Sequence, residues 1–222
     1  MEGILIKNIQ NTDVIPEPYE HRQFKMFDNE LCNRLIDNFI SIKKYMTKSK
    51  GISQSRVMIC LPGNTQDGID FSNHEYLKSI EPLNSILNDY LITILPMLNK
   101  TYDYASTPKF RFQINLVYDT KNYTIGPHTD SYLRKVTSVV YLVSDKDKDK
   151  KLGLSLYKDL INRHKYNWEK THYSFDNFEQ VCQVDYYNGA SVDLHVSKNS
   201  FHGVNNINTD CDRMSIQSII WK

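Results

Sequence analysis

From Phe110 onward the sequence breaks into short segments that each suit an extended strand, and this rhythm most constrains the fold. Phe110, Phe112 and Ile114 alternate with Arg111, Gln113 and Asn115. Successive side chains of a strand point to opposite faces, so this segment predicts one apolar and one polar face. Thr137 to Val143 is rich in β-branched residues and suits a buried strand. Ser191 to Val196, Ser200 to Val204 and Arg213 to Trp221 read as three more. In the last, Arg213, Ser215 and Gln217 share a face while Met214, Ile216 and Ile220 share the other. An inward polar face bearing an arginine calls for an anionic occupant.

The first half reads differently. Leu31, Leu35, Ile36, Phe39 and Ile40 recur at helical spacing after Asp28, a candidate N-cap. Arg56 to Leu61 reads as a short strand stopped by Pro62-Gly63-Asn64. Ser72-Asn73-His74-Glu75 has capping-box spacing and leads into Leu77, Ile80, Leu87, Leu91, Ile94, Leu95 and Leu98, predicting one long helix from His74 to about Leu98. Two helices followed by about eight short strands predict an α+β domain whose sheet is a sandwich or jelly-roll barrel. The expected organisation is a single domain over 1–222. Residues 1–105 form a helical lead-in with the first strands, and 106–222 form the core. The aromatic-rich stretch at about 157–185, with Tyr157, Tyr166, Trp168, Tyr173, Phe175 and Phe178, reads as an insertion whose aromatics pack. Ser144 to Lys151 alternates charge and reads as a solvated loop without function.

Composition excludes several classes. Lys plus Arg number 27 against 26 Asp plus Glu, so no global field recruits polyanions, and no nucleic-acid partner is expected. The four cysteines lie far apart with no CxxC pair, against a zinc knuckle or disulfide framework, and read as free thiols of a reducing compartment. The N-terminus lacks the basic and apolar regions of a secretory signal, and the longest apolar stretch, Tyr90 to Leu98, is too short to span a bilayer and contains Pro96. A soluble cytoplasmic protein with no membrane partner is the expectation. Nothing in the sequence specifies an oligomeric state.

Between two strand-like segments, after Gly126-Pro127, lies His128-Thr129-Asp130. In an extended chain these two side chains can converge on one metal ion, leaving most of its coordination sphere open. A lone H-x-D is weak evidence. The third ligand could be His195 or His202. His202 is favoured because Gly203 beside it permits close backbone approach and because Arg213-Met214-Ser215 follows. A guanidinium binds carboxylate in a fork, so Arg213 with the Ser215 hydroxyl would receive the far end of a dicarboxylate whose near end the metal holds. Two imidazoles and one carboxylate on one side of a divalent ion form the facial arrangement of non-haem iron(II) oxygenases. The bland alternatives are a His128–Asp130 hydrogen bond in a turn, a core His202, Arg213 in a surface salt bridge and Tyr118 as a core aromatic. Arg134 and Lys135 read as solvated loop residues.

The order H-x-D, then a histidine in His202-Gly203-Val204, then an arginine eleven residues later as R-x-S resembles the iron(II)- and 2-oxoglutarate-dependent dioxygenases, in their prolyl 4-hydroxylase-like branch. The resemblance covers the chain from about Phe110 onward. It implies a double-stranded β-helix (jelly-roll) core with supporting N-terminal helices, and Gly153-Leu154-Ser155-Leu156-Tyr157 matches one of the family's strands. It implies iron held by His128, Asp130 and His202, with 2-oxoglutarate as cosubstrate anchored by Arg213 with Ser215. Tyr118, ten residues before His128, matches a tyrosine that hydrogen-bonds the cosubstrate in related hydroxylases. The implied reaction splits 2-oxoglutarate into succinate and carbon dioxide with dioxygen and hydroxylates a prolyl-type peptide side chain or a small molecule, with ascorbate a candidate reductant. Halogenating relatives replace the carboxylate ligand, so Asp130 implies hydroxylation. The alternatives are a cupin-like hydrolase or isomerase on the same ligands and a non-catalytic jelly-roll binding module.

Overall fold

In the first helix the apolar positions fall on one face. Asp28 accepts a hydrogen bond from the Leu31 amide and caps α1, which follows strand β1 (His21–Lys25) and spans Asn29–Ile42. The buried stripe is Leu31, Cys32, Leu35, Ile36, Phe39 and Ile42. Ile40, expected on that stripe, is exposed, because Cys32 and Ile42 turn the buried face away from it. These come from a computed structural model that describes residues 12–48, 55–101, 110–161 and 172–221.

The expected long helix from His74 is not continuous. Ser72 does not cap; its amide donates to Asp70, and the helical start at Glu75–Ser79 is a short 3-10 turn. That turn ends at Ser79, with Ile80 already extended, and Pro82, which has no amide hydrogen to carry the ladder across, stands at the N-cap of the next helix. The chain restarts as α2 (Leu83–Asp89), whose first amide donates to the Asn38 side chain of α1. A π-helical turn at Tyr90–Ile94, with the Leu95 amide reaching the Tyr90 carbonyl, leads into α3 (Leu95–Thr101). Pro96 has no amide hydrogen for the Ile92 carbonyl, and the wider turn falls just ahead of it.

The strands after β1 are β2 (Thr47–Lys48), β3 (Arg56–Asn64), β4 (Gly68–Ile69), β5 (Arg111–Asp119), β6 (Ile125–His128), β7 (Arg134–Leu142), β8 (Ser155–Asp159), β9 (Phe178–Gln183), β10 (Ala190–His195), β11 (His202–Val204) and β12 (Arg213–Trp221). β3 runs through Pro62 and Gly63, beyond the expected stop, because it pairs with β5 as far as Asn64. All strand pairs among the described residues are antiparallel. The major sheet has the order β1-β10-β7-β12-β5-β3-β2, with β4 on β3, and the minor sheet has the order β6-β11-β8-β9.

Alternation on the major sheet separates two cores. Ile114, Leu116, Val136, Val140, Met214 and Ile216 pack with the helices on its outer face. Val139, Tyr141, Val192 and Leu194 on its inner face pack with Ile125, Leu156 and Val204 of the minor sheet. The two facing antiparallel sheets form a double-stranded β-helix, and the site lies at one end of the space between them. The aromatics Tyr157, Phe178 and Phe201, with Tyr173, make a separate cluster on the minor sheet. Tyr166 and Trp168 lie outside the described residues.

The charged loop after β7 is not merely solvated. Asp147 is fully buried; its carboxylate accepts from the Asp212 amide at 3.0 Å and the Ser144 hydroxyl at 2.9 Å, and it pairs with Lys150. It thereby ties down the residue immediately before Arg213.

Candidate metal centre

β6 ends on His128 and β11 begins on His202, and the two are register partners across the minor sheet. Their rings stand 4.5 Å apart between centroids. Gly203 makes this approach possible: a Cβ there would lie 2.6 Å from the Ile125 carbonyl oxygen of β6. Asp130 follows two residues beyond His128 and is fixed from β7, where the Thr137 hydroxyl donates to one carboxylate oxygen and Arg134 pairs with the other, both at 2.5 Å. One ligand atom from each of His128, Asp130 and His202 lies within 4.8 Å of the other two, a spacing that can hold one metal ion.

Both imidazoles are oriented by the backbone. His128 Nδ1 lies 3.0 Å from the Gly126 carbonyl and His202 Nδ1 lies 2.9 Å from the Ser200 carbonyl. A carbonyl only accepts, so each Nδ1 carries the hydrogen and each Nε2 keeps its lone pair. Nε2 of His202 is 3.8 Å from an Asp130 oxygen. Burial, reinforced by the His202 ring, pushes His128 down to about 3. Burial works to raise Asp130, but Arg134 and the two imidazoles outweigh it and hold the carboxyl at about 2. At neutral pH His128 is a neutral donor and Asp130 an anion, the forms that bind a divalent ion.

The three residues open onto a cavity of about 270 Å3 whose lining also includes Arg56, Tyr123 and Arg213. Arg213 is not in a surface salt bridge. It is fully buried, donating from Nε to the Leu152 carbonyl at 2.7 Å and from Nη1 to Asp119 at 2.6 Å. Ser215 shares its face but is completely buried behind the cavity wall, with Gln217 donating to its hydroxyl at 3.4 Å. His195 lies elsewhere, paired with Glu20.

The structure moves Tyr118 away from the site. Its ring belongs to the core beneath the helices, under the Lys43 ammonium at 3.8 Å, and its hydroxyl donates to Asp212. The reason is the period of the strand: Asp119, its neighbour on β5, points inward, so Tyr118 points outward. Arg134 is likewise no free loop residue, since it pairs with Asp130 and its guanidinium stacks 5.1 Å from the Trp221 ring. Arg56, Asp119 and Tyr123 were not singled out by the sequence. Alternation from Arg213 along a paired strand would have favoured Asp119 over Tyr118, but the pairing itself is not written in the sequence.

No family model matches the sequence, and no curated protein matches it. Solved structures do match the fold. A Pseudomonas putida prolyl-4-hydroxylase is similar over all of this chain and 99% of its own, at 12% identity and a TM-score of 0.51. A Trichoplax adhaerens prolyl hydroxylase, solved with a hypoxia inducible factor peptide fragment, is similar over 99% of this chain and 88% of its own, at 12% identity and a TM-score of 0.53. HygX from Streptomyces hygroscopicus, solved with nickel and 2-oxoglutarate bound, is similar over 90% and 82%, at 14% identity and a TM-score of 0.52. The chain has the double-stranded β-helix fold that these proteins share.

Proposed function

We propose that this chain is one catalytic domain of a non-haem iron(II) oxygenase, coupling oxidative decarboxylation of 2-oxoglutarate to hydroxylation of a prolyl-type peptide side chain or a small molecule. The observation that carries the proposal is that the His128, Asp130 and His202 cluster and the buried Arg213 line one cavity. A hydrolase or a binding module on the same fold has no need of a guanidinium facing the metal site.

The donor set fits iron(II): two imidazole nitrogens with fixed lone pairs and one carboxylate would hold the ion and leave it accessible to small ligands. Bound there with 2-oxoglutarate and dioxygen, iron supplies the oxidising power for hydroxylation. The chain's own share is positional. Gly126 and Ser200 carbonyls hold the two rings, while Thr137 and Arg134 hold the Asp130 carboxylate, so that the ligands meet the ion without rearrangement. Arg213 orients the cosubstrate by its distal carboxylate. The inner-face leucine, isoleucine and valine side chains around the cavity limit water near the reacting centre.

No described helix is long and apolar enough to cross a membrane. All four cysteines are free, which supports our placing the protein in the cytoplasm. The test is anaerobic loading with iron(II), then incubation with 2-oxoglutarate in air and measurement of succinate. Wild-type protein should form succinate even without a prime substrate, and His128→Ala and His202→Ala should form none. Absence of succinate from iron-loaded wild-type protein would refute the proposal.

A further inference from the structure

The cavity carries a second charged feature that holding a metal does not require. Arg56, Asp119 and Arg213 stand in one row across three neighbouring strands, Asp119 being the register partner of Arg56 on β3 and of Arg213 on β12. Arg56 donates to both Asp119 oxygens, from Nε at 2.6 Å and Nη2 at 2.8 Å, and Arg213 adds a third donor at 2.6 Å. All three side chains are buried.

Two guanidinium groups share one carboxylate, which leaves the row with a net positive charge. The phenols around it do not cancel that charge, because burial holds Tyr123, Tyr141 and Tyr186 protonated. Buried charge in native proteins is paired, so the row is complete only with an anion in the cavity. Tyr123 supplies a further sign of that anion. Its ring lies 4.2 Å from the Arg56 guanidinium, it lines the cavity, and its fully buried hydroxyl has no hydrogen-bond partner. A buried donor without an acceptor marks a place for a ligand oxygen.

The geometry points to Arg56 and Tyr123 as specificity-determining contacts to the distal carboxylate of a 2-oxo dicarboxylate, with Asp119 as the positioning residue that sets both guanidinium groups. The inference deepens the proposed function and takes the ligand's identity from it. Its consequence is charge selection: a tail bearing one carboxylate neutralises the row, and an uncharged tail of equal length leaves it exposed to an apolar group.

The experiment is calorimetric titration of the manganese(II)-loaded full-length protein with 2-oxoglutarate and with 2-oxopentanoate, which has the same chain length and no distal carboxylate. In wild type 2-oxoglutarate should bind tighter by about thirtyfold or more, as charge-assisted contacts allow. Arg56→Gln should reduce that ratio to roughly threefold, with Arg56→Lys intermediate. Tyr123→Phe removes one unpartnered oxygen without a cavity; it should weaken 2-oxoglutarate about fivefold and leave 2-oxopentanoate unchanged. Thermal melting of each variant separates a folding defect from a binding one, and Tyr123→Phe decides the matter if Arg56→Gln fails to fold. A wild-type ratio near one, or an unchanged ratio in the folded variants, overturns the inference. Wild type that prefers 2-oxoglutarate yet releases no succinate with iron in air overturns the oxygenase proposal and leaves this inference standing.

Discussion

Asp193 offers the sharpest test of how the major sheet is packed. It lies on β10, whose Val192 and Leu194 face the space between the sheets, so Asp193 points to the helix side. It is completely buried. Burial pushes its carboxyl up to about 7, with the Ser138 hydroxyl and Arg22 on the flanking strands offsetting only part of the effect. In the unfolded chain the group ionises near 3.8. Between these values the native state holds a proton that the unfolded state has lost, so stability falls as pH rises and the loss is complete above about 7. Three units at about 1.36 kcal/mol each set the loss at about 4 kcal/mol. Asp193→Asn keeps the shape and removes the ionisation. Urea denaturation of both proteins at half-unit intervals from pH 5 to 8 gives the difference directly. The variant's advantage should grow by about 1.4 kcal/mol per pH unit up to neutrality and then level off. A difference that stays flat, or a variant less stable than wild type at pH 8, would refute the reasoning that burial of Asp193 outweighs what Ser138 and Arg22 return to it.

Three other substitutions probe separate links. Gly203→Ala would place a methyl group 2.6 Å from the Ile125 carbonyl oxygen; we expect about 1–3 kcal/mol of destabilisation and, as β11 shifts from β6, weaker metal binding by calorimetry. Asp28→Ala removes the cap on the Leu31 amide and should cost about 1 kcal/mol, seen as a fall in Tm of about 2–4 °C with metal affinity unaltered. Tyr118→Phe should leave 2-oxoglutarate affinity unchanged while costing about 1 kcal/mol in stability through the lost bond to Asp212; a weakened cosubstrate would return Tyr118 to the site.

What the sequence shows and what it hides divide along the range of the interaction. The inward and outward faces of β12 follow from a period of two, and the buried stripe of α1 follows, apart from Ile40, from a period near 3.6. A sandwich or jelly-roll barrel is legible because strand after strand repeats the first pattern, and the double-stranded β-helix is what the family resemblance adds to it. The apolar spacing that suggests one long helix from His74 runs on across Pro82, whose missing amide breaks the ladder whatever that spacing suggests. Tyr118 occupies a face that is hidden for a different reason. Its distance from His128 in sequence carries no information about the face it occupies, which its neighbour Asp119 settles by pairing with Arg56 and Arg213, residues 63 and 94 positions away.

Those long separations bear on how the site comes to exist. The imidazoles belong to the minor sheet, whereas Thr137 and Arg134, which hold Asp130, belong to the major sheet, as do Arg56, Asp119 and Arg213. Neither sheet alone carries both the histidines of the proposed metal site and the arginine pair of the proposed anion site. Packing of Val139 and Tyr141 against Ile125, Leu156 and Val204 therefore sets the distance between the two halves of the site. On the proposed function, a substitution in that apolar layer, far from the site residues, would change 2-oxoglutarate affinity and metal affinity together, because close-packed interiors transmit displacement. Substitutions on the helix face, Asp193→Asn among them, act across the other core and should change stability while leaving that distance intact.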